Sequence, residues 1–192
     1  PVVRYEHERP GEMLHLDTKK LGRIEKLGHR ITGDPRDHTR GAGWEVLHLA
    51  VDDHSRLAYT EVLADERKDT TTRFLERALA WFAEQGVTTR RVMTDNGMAY
   101  RSKPFAEALR QQGIRHTFTR PYTPRTNGKA ERFVQTALRE WAYAYAYSHS
   151  RERTEYLARW QHHYNHHRRH SALGYQPPIS RIPLNNVSNL DT

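Results

Sequence analysis

Val92-Met-Thr-Asp95-Asn-Gly97 and, further along, Pro121-Tyr-Thr-Pro-Arg-Thr-Asn127-Gly-Lys-Ala-Glu131-Arg-Phe133 bracket the stretch that decides how this 192-residue chain is read. Arg90 to Thr94 reads as a short strand that delivers Asp95, and Asn96-Gly97 can turn sharply where a bound ligand needs close backbone approach. A carboxylate just past a strand end is well placed for ligand binding in an open α/β sheet. A helix from about Pro104 to Gln112, stopped by Gly113, leads to a last short strand, Arg115 to Thr119. Arg120 to Gly128 is dominated by Pro, Thr, Asn and Gly and reads as a mobile loop. Beyond it Ala130, Phe133, Val134, Ala137, Leu138, Trp141 and Tyr145 recur at three- and four-residue steps, the stripe of an amphipathic helix with Glu131 in its first turn. Asp95 and Glu131 are separated by 35 residues (131 − 95 − 1).

Upstream, Met13-Leu-His-Leu-Asp17-Thr alternates as a strand does, Leu14 and Leu16 on one face, His15 and Asp17 on the other. Pro1 to Gly11 is a polar lead-in arm without a core of its own. Leu21 to Gly43 is basic, rich in turn residues and long for a loop in a compact domain, so it is either a functional surface loop or holds a short hairpin. Trp44 to Val51 reads as a strand, Asp52-Asp53-His54-Ser55 as a tight turn and Leu57 to Leu63 as the antiparallel partner, forming a meander with the first strand. Asp69-Thr-Thr-Thr offers N-cap residues for a helix that carries Phe74, Leu75, Ala78, Leu79 and Phe82 and stops at Gly86. A final helix carries Tyr156, Leu157, Trp160 and Tyr164 and gives way at Gly174 and Pro177, and the tail after Pro183 reads as weakly ordered. The expected division is an arm over 1–12, a core over 13–170 and a C-terminal extension over 171–192.

The length suits one domain able to bury an independent core. Cysteine is absent, which removes disulfides, zinc–thiolate sites and cysteine nucleophiles; any metal must be held by oxygen or imidazole. Lys plus Arg number 31 against 23 acids, a balance of +8, and the pI is about 9.9, within the range of nucleic-acid-binding domains. No apolar run is long enough to span a membrane and no leader is evident, so the expectation is a soluble, intracellular protein.

Two strands and a helix deliver the carboxylates of Asp17, Asp95 and Glu131. Mg²⁺ prefers oxygen ligands and keeps several waters, so three acids suffice for a pair of ions about 3.5 to 4 Å apart that neutralises a phosphodiester and activates an attacking oxygen. Leu16-Asp17-Thr18, Thr94-Asp95-Asn96-Gly97 and Tyr122-Thr-Pro-Arg-Thr-Asn-Gly-Lys-Ala-Glu131-Arg132 resemble the three acidic motifs of the retroviral-integrase superfamily, whose last two acids commonly lie this far apart. Tyr164-Asn-His-His-Arg-Arg-His170-Ser-Ala-Leu-Gly174-Tyr-Gln-Pro-Pro178 is similar to the corresponding segment of bacterial insertion-sequence transposases. The resemblance implies a ribonuclease-H-like α/β fold, a five-stranded mixed sheet flanked by helices on both faces. It implies a DDE transposase or integrase core using two Mg²⁺, with Mn²⁺ able to substitute: Asp17 bridges both ions, Asp95 binds one and Glu131 the other. Water held by one metal hydrolyses the strand at the element end, and the freed 3′-OH attacks target DNA, with no covalent enzyme intermediate and no catalytic His. Element-end and target DNA, a homo-oligomer on paired ends, an N-terminal DNA-binding domain outside this sequence and a place at the bacterial nucleoid in the cytoplasm are implied with it.

Arg125, Lys129, Arg132 and Arg139 surround Glu131 and are the expected DNA contacts, each phosphate neutralised adding to the salt dependence of binding. Retroviral relatives commonly place Lys one and two turns after the Glu, where this chain has Gln135 and Leu138. Asp52 and Asp53 read as turn residues rather than ligands. His162 with His166, and His163 with His167, have the one-turn spacing of a zinc site but no third ligand type; a basic, aromatic-studded surface facing DNA or another subunit is the preferred reading. Two rivals stand beside the transposase: a ribonuclease-H-type nuclease without joining activity, and a non-catalytic DNA-binding or assembly module of the same fold. Without metal and DNA, Arg120 to Lys129 is expected to be mobile and Glu131 free to sit away from the two aspartates.

Overall fold

The computed structural model describes residues 6–25, 33, 42–119 and 127–183. Three strands, β1 (Leu14–Gly22), β2 (Trp44–Asp52) and β3 (Ala58–Leu63), form the meander. Helix α1 (Lys68–Glu84) then crosses to β4 (Arg91–Thr94), α2 (Lys103–Gln111) to β5 (Arg115–Phe118), and α3 (Gly128–Ala137) and α4 (Ser150–His166) follow. The sheet order is β3-β2-β1-β4-β5. β1 is antiparallel to β2 and parallel to β4, so it is the seam between an antiparallel and a parallel half. β1 runs further than its alternating start suggested. It pairs with β2 from Leu14↔Asp52 to Gly22↔Trp44, and Arg23 N–H donates to the Gly43 carbonyl at 3.1 Å. Residues 23–43 therefore join the strands of one long hairpin.

Strand alternation explains the layers. Leu14, Leu16 and Ala50 meet Phe74, Leu79, Phe82 and Phe105 of α1 and α2. Leu21, Leu47, Leu49 and Val51 meet Ala130, Phe133, Trp141 and Trp160 beneath α3 and α4. Both faces of the sheet are thus covered by helices, as the resemblance implied.

Two helix readings need correction. The N-cap of α1 is Arg67, which makes no side-chain cap bond, and Asp69 lies in the first turn, where a carboxylate favours the helix dipole. The stripe after Glu131 is not one continuous α-helix. It widens into a π turn over Leu138–Ala142, a device that accommodates an extra residue in a helical turn. Trp141 is fully buried there, while Tyr145 falls off the helix and is 55% exposed.

An edge strand exposes a ladder of unpaired backbone groups, and α4 closes the one on β3. Asn165 Oδ1 accepts from Ala58 N–H at 2.9 Å, and its Nδ2 donates to the Ala58 carbonyl at 2.8 Å. Gln161 Oε1 takes the Thr60 N–H and hydroxyl, both at 2.6 Å. The lead-in arm is stitched down as well. Gly11, at φ +82°, donates its N–H to Asp52 Oδ1 at 2.8 Å, and a Cβ there would meet the Thr88 carbonyl oxygen at 2.2 Å. Glu6 holds both Arg56 and Arg181, and Ile182 joins the cluster under α1 and α2. The expected weak order of the tail falls on residues 184–192, outside the described residues.

Asn165→Ala removes a two-way bridge from a buried strand edge without touching the three acids. It is expected to lower the unfolding free energy by about 2–4 kcal/mol, from two backbone groups left unsatisfied, read in urea denaturation. A loss below about 0.5 kcal/mol would show that α4 does not seal this edge.

Candidate active site

The parallel register of the sheet brings two of the acids together. Leu14 pairs with Val92 and His15 with Met93, and the same alignment carried two residues further sets Asp17 beside Asp95. β4 ends at Thr94, so Asp95 leaves the sheet at that level. Its Oδ1 accepts the N–H of Gly97 at 2.8 Å, and a Cβ on residue 97 would lie 2.9 Å from that oxygen. Glycine therefore keeps the carboxylate where it is.

Asp17 is half-buried and accepts the Thr18 N–H at 2.8 Å. Burial pushes its carboxyl up to about 6; the Thr18 bond opposes this, and the negative charges of Asp95 and Glu131 add to the rise. Asp17 is therefore within electrostatic reach of both other acids, although Asp95 and Glu131 are both exposed. Among the described residues no three acidic or imidazole groups stand close enough to enclose an ion. The donor set nevertheless fits divalent cations: all-oxygen, solvent-accessible, and carrying repulsion that a cation relieves.

Two groups at this patch were not singled out from the sequence. The phenol of Tyr100 is held well above its usual range, first by burial and then by Asp17, Asp95 and Glu66. Glu66 accepts from the Thr18 hydroxyl at 3.2 Å and pairs with Lys20 at 2.8 Å. Neither carries a motif; only the folding of the β3–α1 connection and the turn after β4 brings them to Asp17.

Asp52 and Asp53 serve the fold, in keeping with the turn reading. Asp52 Oδ2 accepts from the Ser55 N–H and hydroxyl, each at 2.7 Å. Asp53 is 2% exposed; its Oδ1 lies 2.7 Å from His15 Nε2 and its Oδ2 takes the His7 N–H at 2.8 Å. Burial alone would raise the Asp53 carboxyl, but His15, the His7 N–H and Lys129 together hold it well below the usual range.

Of the cations expected to meet DNA, Lys129 points inward. Its ammonium pairs with Asp53 and its side chain is 18% exposed, so in this structure it neutralises a buried carboxylate. Arg132 and Arg139 are exposed; Arg125 lies outside the described residues. The stretch expected to be mobile is likewise outside them over 120–126, but its last residues are anchored: Asn127 is 7% exposed and Lys129 is tied to Asp53. On α4, His162 stacks on His166 with ring centroids 4.5 Å apart, and His163 lies 6.0 Å from His167, without a third group completing a metal site among the described residues.

A five-stranded mixed sheet in the order β3-β2-β1-β4-β5 with helices on both faces defines a ribonuclease-H-like fold. The fold agrees with solved structures: the HTLV-2 integrase catalytic core domain in complex with magnesium (trimeric form), at TM-score 0.59, 15% identity, 92% of this chain and 99% of that one; and the catalytic core domain of BIV integrase, at TM-score 0.60, 17% identity, 90% and 93%. A chain of the simian T-cell lymphotropic virus intasome in complex with PP2A regulatory subunit B56 gamma aligns at TM-score 0.72, 18% identity, over 98% of this chain and 60% of that one.

Residues 7–124 match the family described as Integrase core domain, and residues 112–178 match a second family of the same description. The chain belongs to the integrase core domain family. It is also 35% identical over 86 residues to the putative transposase InsD for insertion element IS2E of Escherichia coli (strain K12), covering 45% of this chain and 39% of that protein. The transposase InsD for insertion element IS2A/D/F/H/I/K of Escherichia coli matches at the same identity over 29% of its length. The matched region thus spans well under half of these curated relatives. No helix among the described residues is long and apolar enough to cross a membrane.

The raised Asp17 carboxyl fixes a pH dependence. Its folded value of about 6 lies above the unfolded value of about 3.9, so the folded protein binds this proton more tightly. The stabilisation is fully present below about pH 4 and is lost as the pH rises through 6. Asp17→Asn is expected to raise the unfolding free energy by about 1–3 kcal/mol at pH 8 and to leave it nearly unchanged at pH 4. Urea denaturation at the two pH values reads the difference; equal effects at both would contradict the raised value.

Proposed function

We propose that this chain is the catalytic core of a DDE transposase, with Asp17, Asp95 and Glu131 as the metal-holding residues for cutting element-end DNA and joining it to a target. The observation that carries the reading is the register placing Asp17 beside Asp95, with Glu131 near enough for both charges to raise the Asp17 carboxyl. Asp17, which both other acids influence, would be the acid common to two Mg²⁺ or Mn²⁺ ions, with Asp95 and Glu131 as the further holders. Bound ions supply charge neutralisation on the phosphodiester and an activated oxygen for in-line attack.

The side chains around the acids have definite tasks. Gly97 fixes the Asp95 oxygen by its N–H. Tyr100, kept protonated by its surroundings, is buried in the cluster under α1 and α2 within electrostatic reach of Asp17 and Asp95 and adds no charge. Arg132 and Arg139 present cations on the exposed side of α3 and its π turn for the phosphate backbone. Such contacts position DNA without reading its sequence. The relatives named for insertion elements and the structure named an intasome support DNA as substrate and a multimer as the working form.

Incubating labelled element-end DNA and target with the full-length protein and Mg²⁺ or Mn²⁺ tests this. Strand-joined products are expected, falling by at least about a thousandfold, the scale of losing a central catalytic group, in Asp95→Asn and Glu131→Gln. Cleavage without joining would favour a ribonuclease-H-type nuclease. Metal-independent binding with wild type and variants equally inert would favour a DNA-binding or assembly module.

A further inference from the structure

His15 and Asp17 lie two residues apart on the face of β1 that α3 covers, and Asn127, the N-cap of α3, lies four residues before Glu131 in its first turn. Two residues of strand advance about 6.7 Å, and four residues of helix advance about 6 Å. A helix seated with Asn127 on His15 therefore brings Glu131 to the level of Asp17. We propose that His15, Asp53 and Asn127 form a positioning lock that sets where Glu131 stands along β1. This rests on the assignment of Asp17, Asp95 and Glu131 to the active site.

The contacts form a continuous chain. Asp53 Oδ1 lies 2.7 Å from His15 Nε2, and His15 Nδ1 lies 3.1 Å from Asn127 Oδ1. Asn127 Nδ2 also reaches the Leu16 carbonyl at 3.5 Å. His15, Asp53 and Asn127 are 4%, 2% and 7% exposed, so water cannot substitute freely for a lost partner. Lys129 adds a second hold from the first turn of α3 onto the same Asp53 carboxylate. Asp53 thus grips the helix start twice, through His15 and directly through Lys129, while Glu131 follows four residues after Asn127 and two after Lys129. None of the three touches the reacting atoms; their effect passes through the seat of the helix.

Two arms of one experiment separate the lock from the site assignment. The chain has no cysteine, so Lys19→Cys with Gln135→Cys, both exposed positions, takes a nitroxide pair whose dipolar broadening reports how α3 sits on β1. Mn²⁺ binding to each unlabelled protein is followed by electron paramagnetic resonance well below its unfolding temperature. Asn127→Ala and His15→Gln, the latter keeping a donor for Asp53, are expected to change the spin–spin broadening. They should also raise the Mn²⁺ midpoint about tenfold, the lower end of the loss seen when outer partners of metal ligands are removed. Asn165→Ala, which destabilises the fold elsewhere, should leave the broadening and the midpoint unchanged.

Unaltered broadening in Asn127→Ala and His15→Gln would overturn the lock whatever Mn²⁺ does, and so would altered broadening with an unmoved midpoint when Asp17→Asn does weaken Mn²⁺ binding. Altered broadening together with Mn²⁺ binding indifferent to Asp17→Asn would leave the helix seat standing and sink the site assignment instead.

Discussion

A carboxylate withdrawn from water must be met by donors or give up its charge, and the buried acids at the β2–β3 turn impose that requirement on much of the molecule. Asp52 takes the Gly11 N–H and the Ser55 N–H and hydroxyl; Asp53 takes the His7 N–H, His15 and Lys129. Those donors come from the arm, β1, the turn itself and α3. Satisfying these two carboxylates therefore brings four parts of the chain together at the β2–β3 turn. Removing one partner would leave a buried charge uncompensated, a larger cost than the bond alone.

Asp17, two residues along β1 from His15, and its neighbour Asp95 are treated in the opposite way. Asp17 accepts the N–H of the next residue in β1 and Asp95 that of Gly97 after β4, and Lys19 offsets only part of the repulsion that Asp95 and Glu131 exert on Asp17. The same residue type is a structural anchor in one place and a poorly compensated carboxylate in the other because of the supply of donors. Sites that bind ions commonly retain such local destabilisation, with stability recovered elsewhere.

Periodicity and turn chemistry made most of the architecture legible, since every strand start, the stops at Gly86 and Gly113 and the apolar faces follow from local pattern. The exceptions are tertiary. Nothing in Leu138–Ala142 announces a widened turn; it is set by the burial of Trp141 against Arg153 and Trp160. At the candidate site, Asp17, Asp95 and Glu131 stood out because they sit in spaced motifs. Lys129 shows what a charge count leaves out: it lies two residues from the exposed Glu131, yet its partner, Asp53, is 76 residues earlier (129 − 53). His15 read only as the polar side of an alternating strand, and Glu66 and Tyr100 as nothing in particular, because their roles exist only after the sheet has closed.

Glu6 and Arg181 form an ion pair, and Arg181 also donates to the His54 carbonyl at 3.0 Å. The two ends of the described chain therefore meet at the turn that carries Asp53. Any segment joined at either end leaves from a single corner, one bonded step from the residues that seat α3. A pull, a tether or a docked neighbour acting on either terminus would be felt first at that corner, giving the molecule a mechanical handle at the opposite end of the helix seat from its acids.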